Sequence, residues 1–422
     1  MTSSISAQAD RRKRTQCCIA GCGPAGALLG YLLARAGIDV VVLEKHADFL
    51  RDFRGDTIHP STLEILDQLG LADRFLQLPH TQVSHLGLQL TPTLRRDIDL
   101  TRLPGRFPFV AFVPQWDFLN FLTREAQRYP TFHLQLESEA TGLLFGGDGR
   151  VGGVRYSSAG GESEIRAPLT VGADGRTSVT RAAAGLQLEE TSPPMDVLWF
   201  RISRSPDDPA TMQLQASPGH FVAMIDRREY WQVAWIIPKG AFESLQQAGL
   251  DAFRQTVREV VPSLGERVAE LGDWEQVKLL SVRADRLERW YRDGYLAVGD
   301  AAHAMSPIGG VGINIAILDA LVAANLLWRP LRRGAVTTRD LARVQYRREL
   351  HVRLIQRMQA AIQENVLKPT LAGDGAPTLP PLFRAVLSLP FLSGVPPRLV
   401  GYGLTRPRVR VPELLPATAG LA

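Results

Sequence analysis

The sequence predicts an α/β protein built on a parallel sheet, on three observations. A glycine-rich turn joins a buried strand to a helix near the N-terminus. Two later apolar strands each run into an Asp-containing turn. No internal repeat at solenoid period occurs in the chain. With 422 residues, 45% hydrophobic and 22% charged, a disordered chain, a collagen and a disulfide-stapled miniprotein are excluded.

The elements follow in order. Residues 1–14 read as a disordered tail whose Arg11-Arg12-Lys13-Arg14 cluster is solvated. The uncharged run 17–34 behind it mimics a signal peptide or membrane anchor, but glycines at 21, 23, 26 and 30 and Pro24 break it. No other stretch is expected to span a bilayer. The better reading is a strand over 16–20, the turn Gly21-Cys22-Gly23-Pro24-Ala25-Gly26, a helix over 27–36 stopped by Gly37, and a strand over 39–43 ending at Glu44. This is G-x-G-x-x-G in a Rossmann-like setting. Gly21 permits the tight turn, Gly23 lets a pyrophosphate approach the backbone, and Gly26 lets the helix pack on the strand. The helix N-terminus favours the phosphates, and Glu44 can accept hydrogen bonds from a ribose with a free 2′-hydroxyl.

The strand 169–172 leads into Ala173-Asp174-Gly175-Arg176, followed by Ser178 and Arg181 on an expected helix. The strand 295–298 leads into Gly299-Asp300-Ala301-Ala302-His303, then Pro307, Gly310, Val311, Gly312 and Asn314, and an apolar helix over 315–331 closed by Gly334. Ser61 and Glu64 have capping-box spacing for a helix ending at Gly70.

These three motifs in this order resemble the single-component FAD-dependent aromatic hydroxylases, the para-hydroxybenzoate hydroxylase-like flavoprotein monooxygenases, over roughly residues 15–365. The resemblance implies FAD as cofactor and NADH or NADPH as electron donor. It implies hydroxylation of a small aromatic or polyketide-like substrate by dioxygen through a C4a-hydroperoxyflavin. On that reading FAD meets Gly21, Cys22, Gly23, Pro24, Ala25, Gly26, Glu44 and Lys45, then Arg54, Gln115 and Asp174, and finally Asp300, Pro307, Gly310, Val311, Gly312 and Asn314. Asp300 would bind the ribityl hydroxyls, and backbone N–H groups of Gly310 and Gly312 would reach the flavin ring. Asp174 can equally cap a helix. His303 reads as packed behind the site, and Val311 stands where a glutamine is frequent in the family.

The resemblance also implies interleaved domains: an FAD-binding domain from 15–80, 106–189 and 281–340, and a β-sheet substrate domain from 81–105 and 190–280. A C-terminal helix and tail occupy 341–422. Arg201, Gln213, Gln215, His220, Tyr230 and Trp231 are candidate substrate contacts, although the Trp231-Gln232-Val233-Ala234-Trp235 stripe reads first as sheet core. Asp226-Arg227-Arg228-Glu229 reads as a hairpin turn. Trp235-Ile236-Ile237-Pro238 partly echoes a flavin-halogenase motif, with valine at 233 where that motif has tryptophan. Epoxidation, Baeyer–Villiger insertion, halogenation, a reductase and a non-catalytic flavin-binding sensor stay open.

The helix from 341 to about 367 is amphipathic and rich in Arg and Gln. The Pro- and Gly-rich tail after it is expected to pack on its own protein, with a dimer contact or a peripheral membrane contact as alternatives. A net charge of +5 gives no nucleic-acid footprint. Cys17, Cys18 and Cys22 form no C-x-x-C pair and read as reduced thiols of a cytoplasmic protein. No histidine lies in a metal-binding pattern, so no metal is expected.

Overall fold

Short apolar strands with both faces buried set the central layer of the molecule. The computed structural model describes residues 14–50, 57–89, 95–191, 193–208, 212–373, 398, 401–402 and 406–414. Cys17–Ala20, Val40–Leu43 and Leu169–Gly172 are buried at every position, as expected of parallel strands covered by helices on both sides. They lie in a six-stranded sheet with spatial order Tyr291–Arg292, Tyr295–Ala297, Leu169–Gly172, Cys17–Ala20, Val40–Leu43 and Phe132–Gln135. All its pairings are parallel except the terminal Tyr291–Arg292/Tyr295–Ala297 hairpin. Cys17–Ala20 sits between a strand that follows it directly and one contributed far later. That is a topological switch point, where α/β sheets bind ligands.

Two helices cover the switch point. Pro24–Arg35 begins with proline at its first turn and ends before Gly37, whose φ is +73°. Gly312–Arg332 packs against it. Contrary to the sequence expectation, this second helix is long and apolar enough to cross a membrane, with a mean hydropathy of 1.8. Because 67% of that apolar window is buried within the protein, its hydropathy is that of a core helix. The helix predicted from a capping box starts at Pro60, with His59 as N-cap and no side-chain cap bond. Proline at the first helical position puts the N-cap at His59, two residues ahead of Ser61, so the Ser61/Glu64 box does not form.

The second layer is a seven-stranded sheet with order Lys278–Leu280, Met195–Ser203, Tyr230–Pro238, His220–Asp226, Met212–Ser217, His85–Gln89 and Arg95–Asp99. A tight turn with Arg228 at φ +67° joins His220–Asp226 to Tyr230–Pro238, where the hairpin was expected. A three-stranded sheet of Thr57–Ile58, Val110–Phe112 and Thr81–Val83 lies between the two layers in the chain path.

The C-terminal helix Thr338–Ile362 starts at a capping box formed by Thr337 and Asp340. It passes through a π-helical stretch, Gln363–Leu367, into Lys368–Ala372. Residues 406–414 run back over the helices that cover the six-stranded sheet. Arg35 donates to the Val411 carbonyl at 2.9 Å and pairs with Glu413 at 3.1 Å. Tyr129 donates to Glu413 at 2.7 Å, and Asn325 exchanges bonds with Arg408 and Arg410.

Candidate functional site

The glycine turn has the geometry its sequence requires. Gly21 has φ +97°, and a Cβ there would overlap the Ala173 carbonyl. A Cβ on Gly26 would overlap the Gly21 carbonyl, so helix and strand approach as closely as glycine allows. Gly23 is different, because an added Cβ would meet nothing within 4 Å. That open backbone at a helix N-terminus is where a phosphate can approach. Glu44 is buried, and its carboxylate accepts from the Cys22 N–H at 3.1 Å and the His46 N–H at 3.2 Å. The acid is therefore fixed across the mouth of the turn. Lys45 points outward and pairs loosely with Glu139 at 3.9 Å. The three cysteine thiols are free and buried, and burial pushes Cys18 up to about 12, so they pack as neutral side chains.

The two aspartate motifs meet this turn. Gly21 abuts Ala173 and Asp174, while Gly299 at φ +59° lies against Ala25 on one side and Ala316 on the other. Asp174 accepts from Ser178 Oγ at 2.5 Å and from Thr180 N and Oγ1 at 3.0 and 2.9 Å, and so fixes the start of the short helix Val179–Ala183. Asp300 is one-third exposed and pairs with Arg176 Nε at 3.2 Å. Arg181, buried, donates to the carbonyls of Ala301 and Arg176 at 3.1 and 2.8 Å. Two arginines of the first motif thus lace it to the second. Gln115 is half-buried at the first position of the helix Gln115–Gln127. Arg54 lies outside the described residues.

The loop after Asp300 is braced on its protein side. Gly309 and Gly310 have φ +78° and +59°, and a Cβ on Gly310 would overlap the Thr57 hydroxyl. Asn314, read from sequence as a cofactor contact, spends its amide within the protein. Its Oδ1 accepts from His59 N at 2.9 Å and Thr62 Oγ1 at 2.8 Å, and its Nδ2 donates to the Thr57 carbonyl at 2.9 Å. Gly312 has open space where a Cβ would sit, at the N-terminus of a 21-residue helix. Pro307 and Val311 flank this turn as N-cap and C-cap of the Ile308–Gly310 segment.

Sequence reasoning missed a charged cluster beneath the Gly299-Asp300 turn. Asp319 has 0% exposure. Its carboxylate accepts from Gly299 N at 3.1 Å, His303 Nε2 at 2.7 Å and Arg348 Nε at 2.7 Å. Burial alone would raise its pKa, but the pull of His303 and Arg348 outweighs burial and holds it down at about 2. His351, next in this cluster, is also lowered, to about 4, by burial and then by the Arg348 charge. A lone acid inside an otherwise apolar helix was the available signal.

The seven-stranded sheet presents two different faces. Leu198, Phe200 and Ile202 stand with Trp231, Val233 and Trp235 and are sealed by Phe253 and Val257 of the helix Leu250–Val260. Trp231 also donates from Nε1 to Asp208 at 2.8 Å. Strand register puts Gln213, Gln215 and His220 on this same helix-covered face. Gln215 donates to the Val260 carbonyl at 2.6 Å, and His220 rests 5.3 Å from the Trp235 ring. Trp231, Gln213 and His220 therefore stand away from the nucleotide domain, and the Trp235 echo of a halogenase motif is buried core. Arg201 is exposed and stacks over Tyr230 at 4.9 Å. The opposite face carries Val197, Trp199, Phe221, Ala223, Ala234 and Ile236, and Ile308 of the glycine loop packs against its cluster. No His/Cys/Asp/Glu group able to hold a metal occurs among the described residues.

Comparison with known proteins identifies the family. The family model for the FAD binding domain matches residues 14–358. A 6-methylpretetramide 4-monooxygenase from Streptomyces rimosus is 32% identical over 82% of this chain and 82% of the relative. Longer curated relatives also match, two of them over 64% and 58% of their length. A probable FAD-dependent monooxygenase from Pseudomonas aeruginosa superposes with a TM-score of 0.73 at 21% identity, covering 86% of this chain and 98% of that one. The anhydrotetracycline hydroxylase of S. rimosus gives 0.70 at 22% identity, over 92% and 76%. The chain belongs to the FAD-binding family of flavoprotein monooxygenases, and it is an FAD-dependent oxidoreductase of that class.

Proposed function

We propose that this chain hydroxylates an aromatic or polyketide-like substrate with dioxygen, taking electrons from NADH or NADPH. The observation that carries the reading is the convergence of the three motifs: Gly21 on Ala173 and Asp174, and Gly299 on Ala25. One extended dinucleotide meets all three only if its ribose, pyrophosphate and ribityl parts lie along this line. On this reading Glu44 holds the ribose, the open backbone at Gly23 takes the pyrophosphate, and Asp300 binds the ribityl hydroxyls. Gly310, Val311 and Gly312 present backbone to the ring edge, where the N-terminus of the 21-residue helix stabilises negative charge. When bound, FAD accepts hydride and activates dioxygen, which no side chain here supplies.

We place the substrate side on the seven-stranded sheet. Val197, Trp199, Phe221, Ala223, Ala234 and Ile236 make an apolar face opposite the glycine loop, suited to flat rings and to keeping water out. The match to the 6-methylpretetramide 4-monooxygenase supports a fused-ring polyketide. We take the cytoplasm as the compartment, since the free buried thiols suit a reducing one. The bonds that residues 406–414 make to their own protein support an intramolecular role for that segment. The test is aerobic turnover of 6-methylpretetramide with NADPH and labelled dioxygen. One labelled oxygen atom in the product supports hydroxylation. Reduced-cofactor consumption with peroxide release and no labelled product contradicts it.

A further inference from the structure

Beyond Arg348 and His351, the Arg- and Gln-rich C-terminal helix has no part in the site as described above, yet among the apolar Leu341, Val344, Val352 and Ile355 its buried face carries polar side chains where a core helix is expected to be apolar. Gln345, Arg348, Gln359 and Gln363 are all buried. Gln345 bonds to Trp290 and Glu288, whereas Gln359 and Gln363 have their partners on the segment that runs from the Asp300 turn to the glycine loop. Arg348 holds Asp319, which fixes Gly299. Gln356 Nε2 donates to the Asp285 carbonyl at 2.8 Å and the Ala304 carbonyl at 3.3 Å. Gln359 Nε2 donates to the Ser306 carbonyl at 2.9 Å and the Ile308 carbonyl at 2.8 Å, one for each amide proton. Gln363 Nε2 donates to Ser306 Oγ at 2.8 Å. Residues 356, 359 and 363 share one helix face. Gln363 opens the π-helical stretch, a rare distortion that often marks functional positions.

We propose that Gln356, Gln359 and Gln363 are positioning residues for the flavin. By fixing the carbonyls of residues 304, 306 and 308 and the Ser306 hydroxyl, they set the direction of the backbone groups that the 307–312 turn offers to the ring. They act through the loop and touch no ligand themselves. The loop needs such bracing because Gly309 and Gly310, at positive φ, have no intrinsic preference for one loop conformation. The inference rests on the reading that this turn meets FAD.

The experiment compares Gln359→Met with Ile355→Val on the full chain. Ile355 is a buried apolar residue of the same helix, so its variant loosens packing without touching the loop's hydrogen bonds. FAD affinity is measured by fluorescence titration, together with the absorption maxima of the bound flavin and its reduction potential. Gln359→Met is expected to weaken FAD binding by about tenfold, as when one or two hydrogen bonds that organise a binding loop are lost. It should also shift the bound-flavin spectrum and potential, whereas Ile355→Val leaves all three at wild-type values. Should Gln359→Met fail to fold, Gln356→Met, which frees only the Asp285 and Ala304 carbonyls, is expected to show the same spectral shift. Wild-type affinity, spectrum and potential in the glutamine variant overturn the proposal, and so does an equal effect from Ile355→Val. Asp300→Ala separates the two levels. If it binds FAD like wild type, the site reading itself is wrong. If it loses FAD while the glutamine variants keep it, only the positioning role is wrong.

Discussion

Asp319→Ala should be among the most damaging single substitutions in this protein. Its carboxylate is fully buried and accepts three hydrogen bonds, two of them from His303 and Arg348 at 2.7 Å. Truncation leaves the Arg348 guanidinium, only 3% exposed, as an uncompensated buried charge. Breaking a buried pair in this way costs about 3–5 kcal/mol. The Gly299 N–H also loses its acceptor, a further loss of about 1–3 kcal/mol in isolation. The two losses share one carboxylate and do not add, so about 4 kcal/mol is expected. That is a large part of the roughly 5–15 kcal/mol that stabilises a typical domain. Urea unfolding of the FAD-free protein reads it as a lower midpoint at unchanged slope. The double variant Asp319→Leu with Arg348→Met removes both charges, and it should recover most of the loss because an apolar pair of similar size can replace a buried ion pair. A loss below about 1 kcal/mol for Asp319→Ala refutes the reasoning. So does a double variant no more stable than the single one.

Other outcomes follow from the same geometry. Asp300→Ala should purify folded but with little flavin, since its carboxylate is at the site surface and pairs only with Arg176 among the described residues; the flavin-to-protein absorbance ratio checks this. Glu44→Arg should weaken FAD binding by at least about tenfold, because it puts a cation where a ribose hydroxyl needs an acceptor and removes the partner of the Cys22 N–H. Gly26→Ala should give insoluble or unfolded protein, as its Cβ would overlap the Gly21 carbonyl; a soluble variant that binds FAD contradicts the packing described. His351 sits near 4 when folded against 6.5 unfolded, so the unfolded chain binds the extra proton between those values. Stability should therefore fall, on the order of 3 kcal/mol, as pH drops from about 6.5 to about 4, and level off below. His351→Gln should flatten that limb of the pH profile.

The local parts of the site were legible in the sequence, and the long-range parts were not. Gly26 could be assigned its job because the carbonyl it lies against, that of Gly21, is five residues away. The approach of Gly21 to Ala173 and of Gly299 to Ala25 crosses the chain, so the meeting of the motifs was not legible. The Asp319–Arg348 pair joins two helices across 29 residues, so it exists only once Gly312–Arg332 has packed on the C-terminal helix. Asn314 was read as a cofactor contact from its place in the family-like glycine motif, whereas its hydrogen bonds to Thr57, His59 and Thr62 arise only once distant segments meet and could not be read from spacing. In the substrate sheet, alternation placed Trp231, Val233 and Trp235 on one face correctly. Which face would be sealed depended on where the helix Leu250–Val260 docks, and period-two patterning carries no such information.

The most direct measurement is the visible absorption spectrum of the protein after incubation with FAD, followed by anaerobic addition of NADPH and then NADH in the presence and absence of 6-methylpretetramide. The account predicts flavin bands that remain with the protein through desalting, bleach on addition of reduced nicotinamide, and bleach faster with the polyketide present. A protein that stays colourless after FAD incubation, or one whose flavin neither donor reduces under any of these conditions, contradicts it.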